Sequence, residues 1–381
     1  MRILHLTTFL QGGAGLVIAS LAAAQRAAGH DVVVVTSATE VPGYGNYPGH
    51  LDTLRRAGVD VHLVDSLFTR DDTAALHVLT FLLAHPTASR ADVVHAHAAT
   101  PGRLGHLFAR HAGPRPLLQT MHGWGVAKTT DQQRADVETL ERADRVVVPA
   151  ESSARLLEDL GVTAARIRVI AYGVGPLAER RQPVHRIESA MAEWRHTGGH
   201  VVCCPGTVGA RKNQSVLVDA LALLPASSRV LCVFVGDGDT TALQAYAEAR
   251  GVVDRIRICG YHEDARHIVR AADHLVLPSL SEGQPLSILE AFCDRVPVIV
   301  SRIAELRELV EDGACGLLLD PRNAADVARV LSEASASSAA QRSQLAARGH
   351  AAWASRFSSA RMHDRHVAVY EELRAASSSA R

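Results

Sequence analysis

With 381 residues, the chain is long enough for two ordinary domains that each bury their own core. Lys+Arg and Asp+Glu both number 40, so the formal net charge is zero and no global field exists to hold nucleic acid or a charged membrane. The 6 cysteines are scattered, several within apolar runs, without the C-x-x-C spacing of zinc or redox sites, and read as small buried hydrophobes in a reducing compartment.

The first segment, Arg2-Ile-Leu-His-Leu-Thr7, reads as a strand with no signal leader, and no segment holds the ~18 unbroken apolar residues of a membrane span. A cytoplasmic location is expected. Strand-like runs then alternate with amphipathic helical stretches: Ile3 to Thr7, Val32 to Thr36, Val59 to Val64, Val93 to His97, Leu117 to Met121, Val146 to Pro149 and Ile167 to Ala171. This rhythm predicts a parallel sheet covered by helices on both faces. Tyr172-Gly-Val-Gly-Pro176 and the polar stretch through Pro183 interrupt it with turn residues and charges, as an interdomain connection would. The alternation restarts at Val201 to Cys204, Val230 to Val235, Arg255 to Cys259, His274 to Leu277, Val296 to Val300 and Leu317 to Leu319. Ser332 to Ser343 reads as a helix end followed by a mobile connection, and the residues from Ser377 as disordered. Between them Trp353, Phe357, Val367, Tyr370 and Leu373 fall at helical spacing.

Several loops carry residues suited to anion and hydroxyl recognition. Gln11-Gly-Gly-Ala-Gly15 stands between a strand and the helix predicted over 17–28, so Gly12 and Gly13 can bring bare N–H groups to a ligand, or merely reverse the chain. It is not the dinucleotide fingerprint, which wants G-x-G-x-x-G and an acidic residue near the end of the second strand, where Thr36-Ser37 stand here. His95 and His97 share one face of their strand, but no third metal ligand is evident in the sequence. His122 lies just past a strand end, where open α/β sheets place ligands.

Further on, Gly206-Thr-Val-Gly-Ala-Arg-Lys-Asn213 predicts a glycine turn with Arg211 and Lys212 at the mouth of a helix from Asn213 to about Leu224. Lysine occurs only at 128 and 212, so a lysine kept beside an arginine here is a point-charge partner for a diphosphate oxygen. Val235-Gly-Asp-Gly-Asp239 has the look of an acidic D-x-D metal clamp, but Asp239 fits better as the N-cap of the next helix. In Pro278 to Phe292, Glu282 falls in a loop, Pro285 at the first helical position and Glu290 further along the helix. The N–H groups near Leu286 and Ser287, with the helix dipole, favour a phosphate, while the two carboxylates can accept from ribose and sugar hydroxyls.

Taken in order, these segments resemble the retaining glycosyltransferases of family 4. The matching pieces are Gly206 to Asn213, the pair Glu282 and Glu290 with seven residues between, Val296 to Ser301, Glu308 to Gly313 with Gly316, and, upstream, Gly12-Gly13, Gly29 to Val32, Asp92 to His97 and His122-Gly123. The resemblance implies the GT-B fold, two Rossmann-like lobes facing a central cleft, with the C-terminal helices crossing back. It implies residues 1–172 as an acceptor-binding lobe, with a helix over about 356–381 packing back on it, and 173–355 as a nucleotide-sugar-binding lobe. The implied activity is metal-independent transfer of a sugar, with retention, from a nucleoside diphosphate donor, a UDP-sugar foremost, to an acceptor hydroxyl, without a cofactor.

The implied roles are Glu282, Lys212 and His122 in catalysis, with Gly12, Gly13, Arg211, Lys212, Gly260, Tyr261, Glu282, Leu286, Ser287 and Glu290 on the donor. Tyr44, Tyr47, Arg103, His122 and Trp124 would face a small-molecule, glycan or lipid-linked acceptor, with peripheral contact at the inner face of a membrane open to such an enzyme. Family members often carry arginine where Thr207 stands, and a glycine where Gln284 and Pro285 occupy the turn. An epimerase or phosphorylase of the same fold, or a non-catalytic sugar-nucleotide-binding protein, would share much of this pattern.

Overall fold

The structure, a computed structural model, describes residues 1–39, 45–65, 72–113, 115–125, 128–180, 183, 186–225 and 227–379. The chain forms two compact units, one of Met1–Gly173 with the segment from Ser359 onward, the other of Val174–Ser358. The first is built on β1 (Arg2–Thr7), β2 (Asp31–Ser37), β3 (Asp60–Val64), β4 (Val93–His97), β5 (Leu117–Thr120), β6 (Arg145–Val148) and β7 (Ile167–Val169), in the order β3-β2-β1-β4-β5-β6-β7. The second is built on β8 (His200–Pro205), β9 (Val230–Val235), β10 (Ile256–Gly260), β11 (His274–Leu277), β12 (Val298–Ser301) and β13 (Leu317–Leu319), in the order β10-β9-β8-β11-β12-β13. Every pairing in both sheets is parallel. These are two Rossmann-like lobes.

Central strands of such sheets are covered on both faces, so they read as unbroken apolar runs. Val201 to Cys204 and Val230 to Val235 are fully buried, and their alternate residues pack on the helices of either side. In each sheet the strand order reverses once, between β1 and β4 and between β8 and β11, and it is outside the carboxyl ends at such a reversal that open α/β sheets have their crevice.

The segment 332–343 holds no mobile connection. The helix Ala324–Ala336 ends in one turn, and Ser338 opens the next, Ala339–Ala352, with a reciprocal cap in which its hydroxyl accepts from Gln341 N–H. The helix Ser359–Ser379 likewise runs past Ser377. It packs on the helix Gly12–Ala27 and buries Tyr370 completely. The first unit is thus completed by a segment more than three hundred residues away in sequence, through Gln25 Nε2 donating to Tyr370 Oη at 3.1 Å.

The helix Leu286–Cys293, which carries Glu290, is held from behind by Ala339–Ala352. A Cβ at Gly349 would lie 2.5 Å from Phe292 Cδ1. Gly349→Val is therefore expected to overpack this contact and cost about 1–3 kcal/mol, read as a lower urea midpoint of the second unit's transition with no change in the first.

Candidate functional site

The crevice of the second sheet gathers the basic turn after β8 and the acidic loop after β11. Lys212 Nζ donates to Glu282 Oε1 at 2.6 Å and Arg211 Nη1 to Glu282 Oε2 at 3.0 Å, so one carboxylate carries a cation on each oxygen. The Glu282 side chain is 6% exposed and that of Lys212 14%, whereas Arg211 is 55% exposed. Burial pushes the Glu282 carboxyl upward, but the Lys212 charge and hydrogen bond, with Arg211, outweigh it and hold the group below its ordinary value. Arg211 Nη1 also donates to Ser281 O, and Leu280 N–H donates to Arg211 O, tying the two loops together.

Behind this pair the glycine turns make close contact. Gly206 and Gly236 adopt φ of 119° and 156°, and a Cβ on Gly236 would collide with the Gly206 carbonyl. Thr207, standing where relatives often have arginine, donates its hydroxyl to Asp237 Oδ1 at 2.7 Å. Asp239 caps the helix Thr240–Ala249, accepting from Ala242 N–H at 3.0 Å. Both carboxylates of the D-x-D look-alike thus have local structural partners.

Two local expectations are corrected. Asn213 sits outside the helix in a left-handed conformation with φ of 57°, and the helix begins at Ser215. The Asn213 side chain instead donates to Pro278 O at 3.2 Å and Pro321 O at 2.7 Å, which explains why this polar residue follows the lysine. Pro285 is the N-cap, with ψ of 119°, and not the first helical residue, because the chain is still extended when it enters Leu286–Cys293. The N–H groups of Leu286 and Ser287 have no protein acceptor among the described residues.

Glu290 is half-buried and its carboxylate accepts no hydrogen bond from the described residues. Burial raises its pKa to about 7, partly opposed by the Arg266 charge. Arg266 itself is committed to Asp294 through two bonds of 2.6 and 2.8 Å. Gly260, at φ of 71°, ends β10 and accepts from Gly236 N–H, and Tyr261 beyond it is 62% exposed.

The remaining candidates lie in the first unit. Gly12 and Gly13 open the helix Gly12–Ala27, with Gly12 at φ of 53°. Tyr44 lies outside the described residues. Tyr47 stacks on His50 at 5.6 Å between centroids, and Arg103 is paired with Asp72. Trp124 packs against the core with the Lys128 ammonium 3.5 Å from its ring centroid, while Lys128 also pairs with buried Asp136 at 2.8 Å. One face of that indole therefore already carries a cation.

At the β1/β4 crevice the structure supplies what the sequence did not show. His5 on β1 stands in register with His95, and His5, His95 and His97 each bring a ring nitrogen within 4.8 Å of the others. The third imidazole was hidden because it lies on a different strand. These nitrogens are already hydrogen-bonded, His5 Nδ1 to His97 Nε2 at 3.0 Å, and the cluster contains no carboxylate to neutralise a cation. His122 joins them, with Nε2 at 3.1 Å from His97 Nδ1 and Nδ1 at 2.7 Å from Tyr172 Oη, so both of its nitrogens are engaged. Just after His97, Ala98 takes φ of 72°, held by its N–H on Thr120 O and by Gln119 Nε2 on its carbonyl. Backbone strain of this kind gathers at functional sites.

Comparison with known proteins agrees with this architecture. Residues 11–176 match the family model described as Glycosyltransferase Family 4, and residues 199–336 match that described as Glycosyl transferases group 1. Each unit is thus similar to a glycosyltransferase domain. Among curated relatives, the D-inositol 3-phosphate glycosyltransferase of Streptosporangium roseum is 30% identical over 64% of this chain and 61% of its own length. The UDP-Gal:alpha-D-GlcNAc-diphosphoundecaprenol alpha-1,3-galactosyltransferase of Escherichia coli is 28% identical over 60% of this chain and 62% of its own. The chain thus spans less than two thirds of the length of these relatives. Anabaena HepE, solved in complex with UDP and glucose, superposes with a TM-score of 0.81 at 21% identity, covering 98% of this chain and all of its own. That likeness shows the GT-B fold.

The Lys212–Glu282 pair yields a stability test. A depressed carboxyl pKa contributes stability that is present above the unfolded carboxylate range and lost as pH falls through the folded value. Lys212→Met removes most of that contribution, at a cost of about 3 kcal/mol at pH 7, since breaking a buried pair strands its partner. Urea unfolding should show this deficit at pH 7 and its disappearance in acid, where Glu282 is protonated in both proteins.

Proposed function

We propose that the protein transfers a sugar from a nucleoside diphosphate donor to an acceptor hydroxyl, with retention of configuration and without a metal. The observation that carries this reading is the meeting of Lys212, Arg211 and Glu282 at the second crevice, beside a helix start with two N–H groups unpaired. Lys212 has three donors, so it can keep Glu282 on one and turn another toward a phosphate oxygen. Arg211, more exposed, adds a second charge, and the N–H groups of Leu286 and Ser287 a third source of positive potential. Together they match a diphosphate whose charge grows as it leaves, which is the condition for lowering the barrier. Glu282 then meets the sugar hydroxyls and the open Glu290 carboxylate the ribose diol, with Gly260 and Tyr261 against the base.

A UDP-sugar is the donor this reading favours, supported by the nucleotide in the HepE complex and the UDP-galactose in the E. coli relative's description. The first unit would take the acceptor, through Tyr47, Arg103, His122 and Trp124, together with Tyr44. A lipid-linked acceptor would bring the protein to a membrane surface, and among the described residues no helix is long and apolar enough to cross one. Retention would follow from attack on the face the diphosphate leaves, with a departing phosphate oxygen taking the acceptor's proton, so no protein nucleophile is required.

The test is turnover of UDP-, GDP- and ADP-sugars in excess EDTA with product anomer read by NMR. Transfer should persist in EDTA, and Lys212→Ala, assayed well below its melting point, should lose about 10²-fold or more in kcat. Collapse in EDTA that magnesium or manganese restores would move the donor phosphates to a metal. Release of orthophosphate-dependent sugar phosphate, or an altered donor without acceptor, would mark a phosphorylase or epimerase instead.

Glu290 gives a second test. Below about pH 7 its carboxyl is protonated in the free protein, so the ionised form that accepts from both ribose hydroxyls becomes available only as pH rises through that value. Donor affinity by calorimetry is expected to strengthen from pH 6 to 8. Glu290→Gln should flatten that dependence, and an equal slope in the variant would assign it to another group.

A further inference from the structure

Eight polar side chains of the first unit form one unbroken chain of hydrogen bonds with a defined direction. It begins at Tyr172 Oη, 2.7 Å from His122 Nδ1, and passes from His122 Nε2 to His97 Nδ1 at 3.1 Å and from His97 Nε2 to His5 Nδ1 at 3.0 Å. From His5 Nε2 it reaches Gln25 Oε1 at 2.7 Å, and from Gln25 Nε2 it goes on to Tyr370 Oη at 3.1 Å. Tyr370 Oη lies 2.7 Å from His95 Nδ1, and His95 Nε2 2.7 Å from Thr120 Oγ1. Gln25, His5, His95 and His97 are all at most 2% exposed.

Direction follows from the amide. Gln25 Oε1 can only accept, so His5 must donate from Nε2, which leaves its Nδ1 as an acceptor. His97 then donates from Nε2 and accepts at Nδ1, and His122 in turn donates from Nε2 and accepts the Tyr172 proton at Nδ1. On the other arm, Gln25 Nε2 donates to Tyr370, which passes its own proton to His95 Nδ1, and His95 donates from Nε2 to Thr120. Neutral rings are required throughout, because a neutral imidazole has one donor and one acceptor. Burial supplies them: it depresses His5 and His122 to about 4 and holds His95 and His97 well below the ordinary histidine value. Every ring in the chain thus carries its proton on Nε2, and turning the amide over would move every proton to Nδ1.

We propose that Gln25, His5 and His97 are positioning residues for His122: the orientation of one buried amide, relayed through two imidazoles, fixes which nitrogen of His122 holds its proton and clamps its ring at the ligand end of the sheet. The same amide ties this setting to Tyr370, so the C-terminal helix is part of the device. A hydrophobic core would pack these strands and helices as well. Only a polar chain with a single direction determines a tautomer: with Nε2 committed as donor to His97, Nδ1 is left as the one acceptor of the His122 ring, the position a sugar hydroxyl would take over from Tyr172 Oη.

The relevance of His122 to catalysis rests on the proposed sugar transfer, but the tautomer does not. The experiment is ring nitrogen NMR of the full chain labelled with 15N-histidine at pH 7, with the His122 signals identified by their loss in His122→Asn. The wild-type chain should show His122, His97, His95 and His5 protonated on Nε2 alone. Gln25→Met and His5→Phe should convert the His122 signals to an average of the two tautomers and lower kcat for transfer about tenfold with donor KM within about twofold. Gln25→Glu, which still accepts from His5, should retain the Nε2 proton on His122 and most of the turnover. Wild-type rings protonated on Nδ1, a His122 signature unmoved in both chain-breaking variants, or a moved signature with unchanged kcat would each overturn the proposal. The wild-type spectrum decides the direction even if a variant fails to fold. Should the wild-type chain transfer no sugar, the transferase reading falls while the spectra still decide the relay.

Discussion

The arrangement of both units follows from one constraint, that every strand in each sheet runs parallel to its neighbours. Parallel strands need covered crossovers, so each sheet is buried on both faces and all its carboxyl ends emerge on one edge. Polar residues then have one favourable place in each unit, the point where strand order reverses. The second unit puts charge there, in Arg211, Lys212 and Glu282 after β8 and β11. The first unit puts uncharged imidazoles there, from β1 and β4. The same topology thus yields two chemically different clusters, one charged and one of neutral imidazoles.

The charged cluster of the second unit is held by its own ion pairs. Glu282 would be expensive to bury alone, and Lys212 with Arg211 makes its ionised form the stable one. The Lys212 ammonium is thereby fixed in place and poorly exposed. Glu290, only a few residues away, is the counterexample. Burial raises its pKa, and Arg266, bonded to Asp294, opposes that only in part. Two carboxylates of one loop and helix are therefore shifted in opposite directions, Glu290 upward by burial and Glu282 downward by the paired cations that outweigh its burial.

Much of this was legible in sequence because buried parallel strands announce themselves as apolar runs; Val93–His97, Val230–Val235 and His274–Leu277 coincide with the expected bounds. The charged crevice was legible for a related reason, since a rare lysine beside glycine turns has few structural uses. What stayed hidden depends on register and on distance along the chain. Nothing local in His5 marks it as the partner of His95 and His97, and the cap that Ser338 provides turned an apparent linker into two abutting helices. Pro285 was misplaced by one position because a proline is accommodated equally well by the cap's extended backbone and by a first helical turn.

The two lysines make the same point at the level of single side chains. Both are drawn into pairs with buried carboxylates, Lys212 with Glu282 and Lys128 with Asp136, while the surface ion pairs are made largely by arginine. A compact ammonium can be enclosed between a carboxylate and a ring or a glycine turn, where a planar guanidinium would need space for its fork. Lys128 lies over Trp124 and Lys212 against Gly206, whose absent Cβ would stand 3.3 Å from Lys212 Cε. The residue choice at both places is therefore set by the volume available next to a buried negative charge.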